Sequence, residues 1–463
     1  MRLGRRALML GATVLTAAAV ASCSADNTWV HAEDTAAWPG MYGDSRNASY
    51  TDADAAQTLV PAWNRGLHGA NTVQPAISNR GIVSVTARTE TGCSTFNLEL
   101  TVGRKTYCRR DAPGADLQAP LVDQFDYTYL GIPGWMYSFN PDNQVRWRYP
   151  TAGAPLWLKL VGDNSVLGIT HLGQMVIVDS HDGVANGASI GLLPKVSADA
   201  NAAGLDDCRT AAAATAISGP DLGGPGCPVA GPPAVDVTNQ RAFVVVGGGA
   251  SAPGRPGAGP AKVMAVDYSK TGGSKHDLRY AWERTDIADG VIGSPALSAD
   301  GSTVYVNLRS KKLAALDAKT GATKWTHDLG YATTVPPSVS PDGVIIPAAP
   351  GLQRNSFLAL QDQGDSAREV FKRTDVAMVS PATQIKGGVG YAVVRSWAGV
   401  ETQLLEFRTD TGTTLRTFPL PDTVKSTSGV SVGPDGELVT VGQDGDVFAF
   451  TSGRRTGDSV AKN

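Results

Sequence analysis

The chain is short of charge and of aromatic rings. Asp, Glu, Lys and Arg together make up 18% of it, and Phe, Trp and Tyr only 7%. With 42% apolar residues it is still too hydrophobic to be disordered. No Lys/Arg run is long enough to track a phosphate backbone, and the net charge is −3, which argues against a nucleic-acid partner. Past the N-terminus no apolar stretch is long enough to cross a bilayer as a helix. Cysteine is scarce as well: five in 463 residues, with no Cys-x-x-Cys and no adjacent pair. The familiar catalytic spacings are missing. There is no Gly-x-Ser-x-Gly elbow, and none of His31, His68, His171, His181, His276 or His327 has metal or zincin spacing. His171 and His181 flank one strand-turn unit and read as loop or surface residues rather than paired ligands. Gly247-Gly248-Gly249 follows a strand but opens no helix, so it does not read as a phosphate loop. Gln443-Asp444-Gly445-Asp446 falls short of a calcium loop and reads as a hairpin turn.

Glycine and proline are abundant, at 53 and 28 residues. Short strands joined by tight turns account for that balance. The clearest stretch is Leu313-Ala314-Ala315-Leu316-Asp317, then Ala318-Lys319-Thr320-Gly321, then a strand closed by Trp325. Before it come Gly293 to Ser298, an Ala299-Asp300-Gly301-Ser302 turn and Thr303 to Val306. Four short strands in this order make one blade of a β-propeller. The Asp accepts hydrogen bonds from turn amides, the Gly takes positive φ, and the Trp packs between blades. Trp147 and Trp282 occupy the same packing position in other units.

Anchored on the Asp position, copies end at Thr101, Asn140, Asp179, Asp267, Asp317, Gln361, Arg408 and Thr451. Eight anchors predict an all-β, eight-bladed propeller of four-stranded antiparallel blades. Seven blades is the alternative if the divergent first unit is not a true blade. The interval from Asp179 to Asp267 is twice the usual length and leaves room for a ninth unit. It reads better as insertions near 196–228 and 247–260, which are rich in Ala, Gly and Pro. The last unit stops short of its outer strand, while Leu59-Val60-Pro61-Ala62-Trp63 looks like an outer strand with no inner partners. Pairing the two closes the ring and removes open sheet edges.

The N-terminus reads as an export signal over residues 1–22. Arg2, Arg5 and Arg6 are followed by an apolar run from Ala7 to Val20. Val20-Ala21-Ser22-Cys23 resembles a bacterial lipobox, in which Cys23 becomes the lipidated, palmitate-bearing first residue. An ordinary cleavage site near Ser22 is the alternative. Arg5-Arg6 leaves both twin-arginine and general secretory export open. A flexible leader over 23–37, one propeller over 38–452 and a tail over 453–463 complete the expected organisation. Export implies an oxidising compartment. Cys93, Cys108, Cys208 and Cys227 allow three pairings, of which Cys93–Cys108 and Cys208–Cys227 are nearest in sequence; a zinc site is the weaker rival.

The Ala-x-Asp-x-x-Thr-Gly-x-x-x-Trp pattern and the opening Trp38-Pro39-Gly40-Met41-Tyr42-Gly43-Asp44-Ser45-Arg46-Asn47 resemble the pyrroloquinoline-quinone-type propeller family, across roughly residues 38–452. The resemblance implies two kinds of relative. One is the quinoprotein dehydrogenases, with pyrroloquinoline quinone and calcium. The other is non-enzymatic lipoproteins such as the propeller subunit of the outer-membrane β-barrel assembly machine. The chain lacks the adjacent cysteines and the haem-attachment motif of the dehydrogenases, and no calcium-ligand set can be assigned. The expectation is therefore a monomeric propeller, anchored by lipid to the outer face of the cell membrane, that works without a cofactor as a binding scaffold for cell-envelope assembly or transport proteins. A quinone-dependent dehydrogenase, or a channel-face hydrolase or ligand sensor, is the alternative. Nothing in the sequence distinguishes a carboxylate pair in the channel from solvated Asp and Glu.

Overall fold

In the fifth unit the apolar alternation becomes four antiparallel strands, Val291–Leu297, Thr303–Leu308, Lys312–Asp317 and Thr323–Asp328, hydrogen-bonded in chain order. The inner strands are almost wholly buried because a neighbouring blade covers each face. The outer strand buries only Trp325 fully and faces water elsewhere. The computed structural model describes residues 31–71, 73–193, 205, 208, 227–229, 231–247, 261–270, 275–287, 290–348, 355–397, 401–421 and 423–452.

Seven further sheets repeat this pattern, giving eight blades. Blade 1 is Ala76–Ile77, Ile82–Thr86, Thr95–Glu99 and Lys105–Arg109. Blade 2 is Leu121–Val122, Thr128–Ile132, Trp135–Phe139 and Val145–Pro150. Blade 3 is Trp157–Leu160, Ser165–Ile169, Gln174–Asp179 and Ile190–Gly191. Blade 4 is Ala234–Asp236, Arg241–Val246, Lys262–Asp267 and Arg279–Arg284. Blade 6 is Ser338–Val339, Val344–Ile346, Phe357–Asp362 and Ala367–Arg373. Blade 7 is Thr383–Ile385, Val389–Ser396, Thr402–Arg408 and Thr414–Leu420. Blade 8 is Thr427–Val432, Leu438–Gly442, Asp446–Ser452 and, as its outer strand, Leu59–Gly66. That last strand pairs antiparallel with Asp446–Ser452 from Leu59↔Ser452 to Gly66↔Asp446, so the ring closes as the sequence predicts. The divergent first unit is a complete blade, which decides for eight over seven. Among the described residues the long interval holds no ninth sheet.

Neighbouring blades are held by a repeated clamp. The Trp282 ring of blade 4 lies on Gly321 of blade 5, so close that a Cβ there would fall 2.8 Å from it. Trp147 lies in the same way on Gly183, Trp63 on Gly103 and Phe371 on Gly412. Each of these glycines has positive φ, so the Thr-Gly position is glycine for two reasons: backbone conformation and an overlying ring. An arginine two residues after the aromatic completes most clamps. Arg65, Arg284 and Arg373 donate to the carbonyls of Gly103, Gly321 and Gly412. Trp325 instead donates through Nε1 to Asp362 Oδ1 at 3.0 Å.

Both nearest-neighbour disulfides are present. Cys93–Cys108 ties the segment just before the third strand of blade 1 to its fourth strand. Cys208–Cys227 staples the excursion between blades 3 and 4, where both sulfurs pack in an apolar cluster with Leu205, Leu117 and Val229. The insertions expected at 196–228 and 247–260 otherwise lie almost wholly outside the described residues. So do the signal segment, Cys23 and the tail at 453–463.

Candidate functional site

The first and second strands of every blade meet in a tight turn on one face of the ring, and there the N-terminal segment fills the mouth of the central channel. It passes from blade to blade by main-chain hydrogen bonds. Gln124 N donates to Glu33 O, Val122 N to Pro39 O, and Trp38 and Ile77 exchange two bonds. Val235 N then donates to Ser45 O, Leu297 N to Arg46 O, Val339 N to Ala48 O and Gln384 N to Ser49 O. Tyr50–Thr51 runs parallel to Thr383–Ile385 as a fifth strand on blade 7. Residues 32–37, expected in the leader, already belong to this docked stretch: Ala32, Thr35 and Ala37 are buried. The boundary expected at residue 38 thus falls inside it.

The residues of this opening segment explain why it stays. Asn47 is fully buried with φ 57°, a conformation Asn tolerates better than most residues. Its Nδ2 lies 3.1, 3.0 and 2.9 Å from the carbonyls of Pro232, Pro233 and Pro295, which have no N–H of their own to offer. Trp38 is fully buried, and Met41 packs on the apolar clusters of blades 3–4 and of blades 6–7 at once. Lys159, 3% exposed, reaches from blade 3 to Asp44 O at 2.9 Å and Met41 O at 3.3 Å. Burial pushes its pKa down to about 8, against the pull of Asp34 and Asp44. Asp34 Oδ2 accepts from Ser45 N and Ser45 Oγ, each at 3.2 Å. Burial and the neighbouring Asp44 charge push its carboxyl up to about 6, although Lys159 and the Ser45 bonds oppose the shift.

Beside this segment lies a cleft of about 500 Å³ lined by Asp34, Asp44, Arg46, Asp236, Thr238 and Asp300. Its acidic groups are tied to protein partners. Asp44 pairs with Arg46 at 2.7 Å, Asp236 holds Asn239, and Asp300 accepts from Ser298 and Ser302. Among the described residues no three His, Cys, Asp or Glu side chains converge as metal ligands. Trp38, Met41 and Tyr42 of this segment pack into the blade clusters, and the buried cation, Lys159, is engaged with main-chain carbonyls. That arrangement does not fit a quinone with a calcium ion, so no chemical step is drawn through them.

Two histidines are buried. His171 lies in a turn, within the loop-or-surface reading, but is fully buried there: its Nδ1 accepts from Ala154 N at 2.9 Å. His276, 3% exposed, has Nδ1 against Tyr268 O and Nε2 3.3 Å from Ser165 Oγ. Burial lowers its pKa, so the neutral ring donates from Nδ1 and accepts the Ser165 proton at Nε2. Ser165 also accepts from Asn186 Nδ2 and is itself fully buried. A Ser–His contact closed to substrate is a structural latch between the loops of blades 3 and 4, not a nucleophile. Trp147 lies on Gly183 and Trp282 on Gly321, and Trp325 packs with Val339 and Ile345 of blade 6. The Arg65, Arg284 and Arg373 clamp went unread, although its aromatic-x-Arg spacing recurs plainly at Trp63, Trp282 and Phe371.

No family model matches the sequence. A curated protein does: Protein Rv3035 of Mycobacterium tuberculosis (strain ATCC 25618 / H37Rv) is 35% identical over 432 residues, covering 92% of this chain and 99% of that protein. The chain belongs to the Rv3035 family. Solved structures resemble it in fold alone. BamB from Moraxella catarrhalis superposes with a TM-score of 0.52 at 14% identity, over 85% of this chain and 99% of that one. Quinohemoprotein alcohol dehydrogenase from Comamonas testosteroni gives 0.55 at 12%, over 90% and 81%. A europium-containing methanol dehydrogenase gives 0.56 at 10%, over 88% and 96%. The fold is thus of the pyrroloquinoline-quinone type, and the Rv3035 family shares it with proteins of different roles.

Proposed function

We propose that the protein is an exported lipoprotein, held to the outer face of the cell membrane through Cys23, that acts as a non-enzymatic docking disc for cell-envelope assembly or transport proteins. The observation that carries this reading is the self-filled channel mouth. Side chains that could have served chemistry there, Asn47, Lys159, Asp34 and Ser45, are spent on holding residues 34–51 in place. A ring closed by its own N-terminal strand and clamped from blade to blade is rigid, so docking onto it costs little conformational entropy. The lipobox supports the tether, and more than one acyl chain gives stable anchoring where one does not. The fold likeness to BamB is compatible with this reading and to the dehydrogenases with the other; the channel residues favour the first.

The test is affinity purification of the full chain from membranes in mild detergent. The expected result is a reproducible envelope-protein partner that survives a wash in moderate salt. Cys23→Ala should release the chain from the membrane fraction and abolish incorporation of labelled palmitate. A chain that purifies alone from cross-linked membranes argues against the scaffold, and a Cys23→Ala chain that stays membrane-bound argues against the anchor.

A further inference from the structure

The exposed apolar side chains of the disc are unevenly placed. Strands within a blade alternate in direction, so the turns between third and fourth strands open on the channel-mouth face, as do those between first and second. Val102, Phe125, Val184 and Val237 sit on such turns in blades 1 to 4, each between 38% and 61% exposed. Val145 opens the outer strand of blade 2 on the same face. The other exposed large apolar residues lie second in outer strands, which also start there. Among the described residues none lies in a turn between second and third strands or in a crossing between blades, on the opposite face. Single exposed apolar residues are ordinary on a protein surface; a one-sided set is not.

Phe125 and Val184 are held in place by their turns. Asp123 Oδ1 accepts from Phe125 N at 2.9 Å, and Asp126 pairs with Arg80 of blade 1 at 3.1 Å. Asp182 Oδ1 accepts from Val184 N at 2.9 Å, next to Gly183 under the Trp147 ring. The chain enters the fold at blades 2 and 3, which carry these two tips. Ala32 N donates to Asn164 Oδ1, in the first turn of blade 3, at 3.3 Å. Ala32 packs with Leu121 and Tyr129 of blade 2 and Leu158 of blade 3, and Glu33 O accepts from Gln124 N, beside Phe125. Only residues 24–31 separate Ala32 from Cys23. That length of chain reaches about 30 Å at full extension.

An acyl anchor on Cys23 therefore brings this sector of the mouth face to the bilayer. So short a tether turns weak apolar contacts into intramolecular ones. Asp142, Asp163 and Asp182 stand among these turns, so attraction to anionic headgroups does not drive the contact and a zwitterionic bilayer suffices. We propose that the channel-mouth face at blades 1 to 4 rests on the membrane surface, with Phe125 and the valines of the neighbouring turns dipping into the interfacial layer of the lipid. The opposite face then points away from the membrane, free for envelope proteins. The proposal rests on Cys23 as the anchor and adds which face that anchor holds down.

Hydrogen exchange tests it, comparing the chain on phosphatidylcholine vesicles with the same chain in solution. The compact unit begins at Ala32, so a chain from Cys23 onward keeps all of it. Cys23 is the one cysteine outside the two disulfides, and coupling it to a maleimide lipid supplies the anchor chemically. A failure here is then distinct from a failure of acylation in cells, which the Cys23→Ala release experiment reads. The amides of 101–103, 124–126 and 183–185 should exchange about fivefold more slowly on vesicles, while those of 309–311, on the opposite face, keep their rate. Phe125→Asp combined with Val184→Asp should abolish the difference. The unaltered chain carries the test by itself if that pair perturbs the fold. Equal exchange on and off vesicles overturns the proposal. So does slowing at 309–311 instead, or slowing that the double variant retains. Slowing on native membranes but not on phosphatidylcholine would give this face to a protein and overturn it as well.

Discussion

The seam between blades 4 and 5 and the seam between blades 1 and 2 solve the same packing problem with different chemistry. In blade 5 the third strand ends at Asp317, whose Oδ1 accepts from the amides of Lys319 and Thr320 and from Thr320 Oγ1. That capped turn presents Gly321 to the ring of Trp282. Blade 1 has no such Asp; its third strand ends at Glu99, paired with Arg104 across the turn. Its turn still presents Gly103 to the Trp63 ring of blade 8, but towards blade 2 its outer strand carries the Cys93–Cys108 bridge and, next to Cys108, Arg109. The Arg109 guanidinium lies 4.2 Å from the Phe139 ring centre and 5.2 Å from that of Tyr137 in blade 2. One seam is sealed by a ring on a glycine, the other by a cation on stacked rings. A seam needs a flat, close-fitting contact and tolerates more than one way of making it.

The sharpest way to break the comparison is to change two glycines that share a backbone conformation and differ in what covers them. Gly321 has φ 74° and a Cβ there would meet the Trp282 ring at 2.8 Å; Gly364 has φ 91° and nothing within 4 Å. Gly364→Ala should cost only the left-handed strain, about 1 kcal/mol. Gly321→Ala should cost about 3 kcal/mol, because overlap with a packed ring adds to that strain. Urea unfolding of the two variants measures the difference. Equal losses would remove the ring-on-glycine clamp from the account of this seam.

The smaller effect belongs to the other seam. Arg109 pairs with Asp111 at 2.5 Å, and the Asp111 side chain is 1% exposed. Asp111 Oδ2 also takes hydroxyl bonds from Ser94 and Thr95. Arg109→Ala removes the two cation–π contacts and leaves a buried carboxylate short of its cation, for a loss of about 2 kcal/mol. Arg109→Lys keeps the charge without the flat surface and should recover about half of it. Full recovery by Lys would reduce this seam to an ion pair and erase its likeness to the ring-on-glycine seams.

How far the sequence disclosed this depends on whether a residue's role is local. Asp317, Thr320 and Gly321 lie within five residues of one another, so their turn can be read directly, and from it the blade count and ring closure follow. The partner of Gly321 is Trp282, a whole blade away; the ring was legible as packing but not what it packs on. Arg109 carried no signal, because its rings lie in the next blade and follow no repeat. The channel mouth was the least legible. Trp38 to Asn47 resembled the opening of known propellers, but only three-dimensional closure brings Asn47 to the carbonyls of Pro232, Pro233 and Pro295. The burial of His171 in its turn was not legible because it depends on the segment before blade 3, which supplies the Ala154 amide.

Two carboxylates carry the comparison from the blade edge to the channel mouth. Burial raises Asp34 to about 6, whereas bonds from Thr320 hold Asp317 below the usual carboxylate value. The linkage signs are opposite. Folding prefers Asp34 protonated, so its contribution is fully present below about pH 4 and is lost as pH rises through 6. Folding prefers Asp317 ionised, so its contribution is present above about pH 4 and is lost on acidification. Asp123 shares the first behaviour, at about 6, and Asp375 and Asp410 share the second, so the pH curve of the unaltered protein blends the two. The differences from single variants do not. Asp34→Asn should gain stability relative to the parent as pH rises from 4 to 7, by about 1 kcal/mol after discounting for the part of Asp34 that faces the cleft. Asp317→Asn should lose ground over the rising limb from pH 3 to 5. Urea midpoints across that range, with hydrogen exchange of residues 34–49 as the local readout, separate them. Parallel curves would mean that Asp34 is solvated like the blade-edge carboxylates, and that the channel mouth is wetter than its packing implies.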